Sequence, residues 1–546
     1  MDEANSTDAL VDRYWDDLLE LEPTLGTSVG DERYDDRLPD PSDAGRAASE
    51  AVHRTALAEA AAIDRDALDG THRITLDVVE AIARRFLAGL EHRTDRLNVA
   101  NHLWGPGQAL GEIASYQQAD TPERLERYEA RLRAFPAYLE AWAEVGRDGI
   151  EAGVTVPRVV AERSIGQVER FLALPVADSP AMMPAVDDDA RDRIAAIVQD
   201  VVNPAYEAFL DALRDYLPHA TETLGLSSLP DGEAMYAAEV LSWTSLPLDP
   251  HEVHELGNER FDAIQEERQR IAGTLGFASV SEAVAAHKAS GADAADTPEA
   301  LVAIVEDQVR RSWDSATPWF GRLPSANCEV RAVEAFREAD MPMAFYNPPT
   351  EDGSRPGVYY INTFDLPSRE LHSIAGVTFH EANPGHHFQI ALEQEADDLP
   401  KLRRFGGILA GAAFTEGWGL YAERLADEMG LYLDEWERLG MLENQALRAG
   451  RLITDTGLHA LGWGRERAIA KLQDGGVPST DAEIEIDRYI AIPGQALSYM
   501  TGMIEIEKAR TVAEARDGEA FSLRDFHDRL LAMGTVPLPT LTREFG

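Results

Sequence analysis

Apolar and polar positions alternate along most of this chain at spacings of three and four. In residues 124–135 the apolar side chains Leu125, Tyr128, Leu132 and Phe135 recur at that interval, and residues 189–217 keep it over several turns, with Pro204 inside as an expected kink. Positions three and four apart share one face of a 3.6-residue turn, so the pattern predicts amphipathic helices. A different pattern stands at residues 357–363, Gly-Val-Tyr-Tyr-Ile-Asn-Thr. This run is rich in β-branched and aromatic residues and is bounded by Arg355-Pro356 and Asp365-Leu366-Pro367, so it reads as a strand. Residues 343–346 are its expected partner in a hairpin or small sheet, whose exposed edge could take up an extended peptide. The chain shows no internal repeat, no heptad array and no Gly-Xaa-Gly-Xaa-Xaa-Gly loop.

At 546 residues the chain exceeds one ordinary core, which favours two lobes flanking a groove. The run at 278–300, rich in Ala, Ser, Asp and Gly, marks a boundary or an elaborated loop, although its alanines would equally suit a short helix. The expected organisation is an N-terminal helical lobe over 1–275 and a second lobe over 276–546 that carries the chemistry. Together they would form one continuous structural unit. The fold class is mainly α, with a small β-sheet.

The chemistry concentrates at residues 377–389, Val-Thr-Phe-His-Glu-Ala-Asn-Pro-Gly-His-His-Phe-Gln, followed by Phe414-Thr415-Glu416-Gly417-Trp418. A zinc ion used in hydrolysis is commonly held by two imidazoles and one carboxylate, with a second carboxylate beside the reacting water to take its proton. His380, Glu381, one of His386 and His387, and Glu416 supply that set. The usual His-Glu-x-x-His spacing puts both imidazoles on one helix face, but here Pro384 occupies the position of the second histidine. An unbroken helix would turn about 600° between His380 and His386, and would carry His387 about 10.5 Å along its axis, so neither could share an ion with His380. Pro384 removes a backbone donor and Gly385 permits unusual dihedrals, so Asn-Pro-Gly can bulge and return a histidine to the required place. Gly immediately before His favours His386, and the order His387-Phe388-Gln389 favours His387, so both remain candidates.

These residues resemble the family known as domain of unknown function 885. Its His-Glu-x-x-Pro-Gly-His-His block stands at 380–387, its Glu-Gly-Trp-x-x-Tyr-x-Glu block at 416–423 and its Pro-Gly-Gln-Ala-x-Ser-Tyr block at 493–499. That family is in turn similar to the gluzincin peptidases, especially helical ones such as angiotensin-converting enzyme, thimet oligopeptidase and thermostable carboxypeptidase. The resemblance implies a large two-lobed helical metallopeptidase-like fold with the small sheet beside the zinc helix. It also implies one zinc ion on His380, His386 or His387, and Glu416, with Glu381 as general base. Pro384 departs from the gluzincin spacing.

A peptidase of this kind needs a donor for the developing oxyanion. Tyr499, following the Pro493-Gly494 break, is the first candidate, with Tyr489 and Arg488 as alternative donors or as a clamp for a substrate carboxylate. Asp455 and His459 stand four apart on an expected helix and could form an orienting pair. Tyr360, His459, Arg488, Tyr489 and Gln495 make up the expected substrate-binding set.

Charge changes the picture of where the protein works. Asp and Glu number 97 against 50 Lys and Arg, a net charge of −47, and Lys288, Lys401, Lys471 and Lys508 are the only lysines. Such a surface repels itself in dilute buffer and is tolerated where salt shortens the Debye length to about 3 Å at 1 M, which suggests the cytoplasm of a high-salt organism. It disfavours nucleic acid and anionic membrane as partners. The first residues lack the basic and apolar regions of a signal peptide, no segment approaches a membrane span, and Cys328 is the only cysteine. The expected function is zinc-dependent hydrolysis of peptides. The alternatives are hydrolysis of a non-peptide amide or ester, or a non-catalytic metal- or peptide-binding role.

Overall fold

A computed structural model describes residues 3–333, 338, 342–350 and 356–546; Arg355, expected to bound the strand, lies outside them. The expected helices form. The stretch from 124 belongs to the helix Pro122–Ala152, which Thr121 opens by accepting from the Arg124 N–H, Pro122 begins at a first-turn position and Gly153 ends in the left-handed region. Its stripe of Leu125, Tyr128, Leu132, Phe135 and Leu139 is buried. Residues 189–217 are two helices, Asp188–Ile197 and Asn203–Tyr216, joined by one wider helical turn at Val198–Val202. Pro204 sits in the first turn of the second helix, where its missing N–H costs nothing, so the interruption falls ahead of the proline.

Helices hold 72% of the chain, which makes the fold mainly α with one small sheet. One apolar core runs from Leu10 to Phe545, and a smaller cluster of Leu301, Val305, Val309, Tyr359, Ile361, Ile374 and Ala382 lies against the sheet. The core is continuous across the boundary expected at 275/276, because the helix Pro250–Thr274 packs extensively on Glu435–His459. Within 278–300, residues Val280–Ala289 form a helix capped by Ser279, so the alanines serve a helix there. No helix among the described residues is long and apolar enough to cross a membrane.

The sheet has the order β1-β3-β2, with β1 Cys328–Ala332, β2 Ala344–Asn347 and β3 Gly357–Ile361. The expected antiparallel pairing of β2 with β3 is present, and β1 adds a parallel partner on the other side of β3. Since β3 is central, the edges at which an extended peptide could join this sheet are β1 and β2. Tyr359 points from β3 towards the helix Leu371–Glu381, its hydroxyl 3.4 Å from Thr378 Oγ1. Side chains alternate along a strand, so Tyr360 takes the opposite face, where it stacks on Phe345 with 4.9 Å between ring centroids.

Four segments frame the candidate site: the helices Leu371–Glu381 and His386–Gln394, the helix Ala413–Glu428, and the helix Ser498–Asp517. The last two approach so closely that a Cβ on Gly417 would stand 2.3 Å from the Gly502 carbonyl carbon. Small residues at that crossing let Ala413–Glu428 lie deep in the molecule, where Trp418, Leu420, Ala422 and Glu423 are fully buried.

Candidate metal centre

The histidine block is two helices and not one bulged helix. Leu371–Glu381 stops at Ala382, and a new helix begins at His386. Between them the Asn383–Pro384 peptide is cis, and the chain folds back over the end of the first helix. Gly385 lies so close to it that a Cβ would meet the His380 carbonyl oxygen at 1.9 Å and that of Phe379 at 2.4 Å, so only glycine fits. Trp418 fastens this turn by donating its indole N–H to the carbonyls of Pro384 at 2.9 Å and Gly385 at 3.3 Å. The Trp of one sequence block therefore locks the Pro-Gly of another.

The fold-back sets His386 beside His380, their ring centroids 4.6 Å apart and their planes at 79°. Both Nε2 atoms stand 3.5 Å from Glu416 Oε2. Glu381 completes a group with His380 and His386 whose donor atoms all lie within 4.8 Å of one another. A Cβ on Gly419 would come within 2.8 Å of His380 Nε2, so the glycine makes room for the ring. The Glu-Gly-Trp-Gly run thus supplies a carboxylate, a close helix crossing, a turn clamp and a cradle in four consecutive residues.

Behind His380, the fully buried Glu423 accepts from Nδ1–H at 2.9 Å. That bond fixes the tautomer and turns Nε2 towards Glu416, the arrangement by which carboxylates orient histidine ligands. Glu423 was not singled out in the sequence, although its spacing of seven from Glu416 puts both on one helix face. Burial disfavours a charged His380, but Glu416, Glu423 and Glu381 outweigh it and push the imidazole up to about 10. Burial would likewise raise Glu416; the two histidines outweigh it and hold the carboxyl well below its ordinary range. Three carboxylates around one imidazole select for positive charge at this point.

The residues fit a divalent ion. Glu416 Oε2 and His386 Nδ1 are buried without a hydrogen-bond partner. Donors about 2.1 Å from a tetrahedral ion stand roughly 3.4 Å from each other, close to the two observed separations of 3.5 Å. Replacing Glu423 by Gln, which cannot hold the imidazole as a carboxylate does, is expected to cost about 10- to 100-fold in metal affinity, read by competition with a chromogenic chelator. Unchanged affinity would remove Glu423 from this role.

His387 does not join the group, which corrects its place among the candidate ligands. It is fully buried, with Nδ1 2.8 Å from the Tyr346 hydroxyl, Nε2 3.1 Å from the Ala326 carbonyl oxygen and its ring beside Trp313. Burial pushes it down to about 4, so it is a neutral packing residue. His459 is corrected in the same way: Nε2 meets the Tyr489 carbonyl at 3.0 Å, Nδ1 accepts from the Leu226 N–H, and it does not pair with Asp455. Asp455 instead accepts from the Tyr236 hydroxyl and the Gly494 N–H, holding the Pro493-Gly494 turn.

Tyr499 does reach the centre, its ring stacked 6.2 Å from that of His380 at 23°. Arg488 donates to the Tyr499 oxygen at 3.3 Å and to Gln495 Oε1 at 2.8 Å, so three of the expected residues form one chain. Arg488 leaves the phenolic hydrogen to point elsewhere. Tyr489 is fully buried and donates to Glu485 while accepting from Arg451, which makes it a support and not a contact for substrate. Tyr360 lies on the far face of the sheet from the helix Leu371–Glu381, which removes it from the substrate-binding set. Arg448, Arg451 and Glu485, which no sequence motif marks, gather around Tyr499.

No curated protein matches this sequence. The fold is shared with a candidate lipoprotein from Colwellia psychrerythraea, 26% identical, with 100% of this chain and 99% of that one covered and a TM-score of 0.91. It is shared also with a candidate lipoprotein of unknown function from Shewanella oneidensis, 19% identical, with 98% of each chain covered and a TM-score of 0.76. A family model matches residues 23–545, and the chain accordingly belongs to DUF885, a family of bacterial proteins of unknown function.

Proposed function

We propose that this chain is a zinc-dependent peptidase of the gluzincin kind. The observation that carries the reading is Glu416 Oε2 standing 3.5 Å from Nε2 of both His380 and His386, with Glu381 grouped with the two histidines. His380, His386 and Glu416 would hold the ion. A bound zinc ion would polarise the scissile carbonyl and make water a nucleophile near neutral pH. Glu381, only half-buried, takes the proton from the attacking water and returns it to the leaving amine, so one carboxylate serves both halves of the acid–base chemistry. Tyr499 offers its hydroxyl to the oxyanion. The chain order of strand, His-Glu helix, glutamate helix and late tyrosine supports the gluzincin likeness.

The acidic surface supports a cytoplasm rich in salt as the working environment, so multimolar salt is the appropriate medium for tests. The purified chain is expected to hold one zinc ion by elemental analysis and to cleave a mixed peptide library. A chelator should abolish cleavage and lower the melting temperature, since an ion bound only by the folded state stabilises it, and added zinc should restore both. Zinc without cleavage of any peptide would favour another amide or ester, or a binding role. A chain that takes up no metal would overturn the reading.

A further inference from the structure

Three guanidinium groups surround Tyr499. The Cζ atoms of Arg451 and Arg448 lie 4.3 and 5.9 Å from its ring centroid, and Arg488 donates to its hydroxyl. Among the described residues one carboxylate answers them: Glu485 accepts from Arg451 at 2.8 Å and lies 3.5 Å from Arg488. Arg448 has no acidic partner among the described residues, and its Nε is buried without any partner. Arg451 is 3% exposed, yet its Nη1 is also unpartnered. Burial would raise Glu485, but Arg451 and Arg488 hold it at about 2, so it is already fully ionised and the cluster keeps an excess of positive charge.

A buried cation without a counter-charge is costly, and a chain with 97 acidic residues had ample means to provide one. The excess therefore points to an anion brought from outside. Arg488 is 27% exposed at its side chain, which opens the cluster to a ligand. Guanidinium forks match the two oxygens of a carboxylate. Tyr499 links the cluster to the metal centre, one aromatic ring away from His380. Arg451 lies 4.3 Å from the Tyr499 ring and that ring 6.2 Å from His380, and an extended residue spans about 3.5 Å, so a carboxylate held here belongs at most a few residues beyond a carbonyl at His380 and His386.

We propose that Arg448, Arg451 and Arg488 bind the free C-terminal carboxylate of a peptide, so that the enzyme removes a few residues at most from the carboxyl end. This rests on the peptidase reading above. In the reaction water adds its oxygen to the acyl carbon, the C–N bond breaks, and the proton taken by Glu381 goes to the departing amine. The released amino acid or short peptide carries away the carboxylate that the arginines held.

The test separates binding from turnover. An N-acetylated hexapeptide, as free acid and as C-terminal amide, is titrated calorimetrically into the zinc-loaded Glu381→Gln chain in multimolar salt. The acid should bind roughly 10- to 100-fold more tightly, the scale of a charge-assisted contact. Adding Arg448→Gln, or separately Arg488→Gln in case the first variant folds poorly, should remove most of that difference. Equal affinity for acid and amide, or a preference indifferent to both substitutions, overturns the proposal. With the native chain, mass spectrometry should show terminal residues released from the acid far faster than from the amide. Internal cuts on both forms would overturn the carboxylate site while sparing the peptidase reading. A binding preference without turnover by the native chain would keep the carboxylate site and overturn the peptidase.

Discussion

Glu381→Gln is expected to lower peptide hydrolysis by about 10²- to 10⁴-fold, or roughly 3–5 kcal/mol of barrier, while the chain still holds one metal ion. The two halves of this expectation come from different features. Glutamine keeps the shape of the side chain but cannot take a proton, so the water must lose its proton without help. Metal retention follows because Glu416, not Glu381, sits 3.5 Å from both Nε2 atoms with a buried oxygen that has no other partner. Glu381 is half-buried at the edge of the same group, within 4.8 Å of the histidine donors, a position suited to a residue that faces the water. Elemental analysis and rate measurements on the same sample decide the matter. If the metal leaves with Glu381, this carboxylate is a ligand and the roles of the two glutamates are exchanged. If metal and rate are both unchanged, Glu381 has no part in the chemistry.

The candidate site was legible as far as residue type and local spacing reach. His380, Glu381 and Glu416 stand out because imidazole and carboxylate recur in otherwise apolar helices. The break at Pro384 was legible too, but its form was not: two helices joined by a fold-back are specified by Trp418 reaching across the core to the Pro384 and Gly385 carbonyls. The pairing of Asp455 with His459 failed for a related reason. Both are fully buried, so each is claimed by backbone groups and by Tyr236 before it can reach the other. Strand β1, Cys-Glu-Val-Arg-Ala, carries two charges in five residues and is half-exposed, so alternation could not announce it. The arginine cluster joins three separate helices, Glu435–His459, Ser479–Ala491 and Ser498–Asp517, and no local pattern predicts such a meeting. The helical texture was legible throughout because burial of one face repeats every turn.

The sharpest separation between neighbouring residues is expected at 386 and 387. His386→Ala should leave the chain folded and remove stoichiometric metal, with a loss exceeding the 10- to 100-fold typical of an orienting partner, because one of three ligands is gone. The ring lost lies at the site, and its Nδ1 has no partner, so no core hydrogen bond goes with it. His387→Ala should do the reverse. Its ring bridges the Tyr346 hydroxyl and the Ala326 carbonyl while packing beside Trp313, so truncation forfeits both hydrogen bonds of a fully buried ring and opens a void. A destabilisation of about 2–4 kcal/mol follows, with metal still bound. Chemical denaturation and elemental analysis in multimolar salt give both quantities for each variant. Metal lost from His387→Ala and kept by His386→Ala would mean that the segment from Ala382 to Gly385 folds back in another register, with the neighbouring imidazole on the ion.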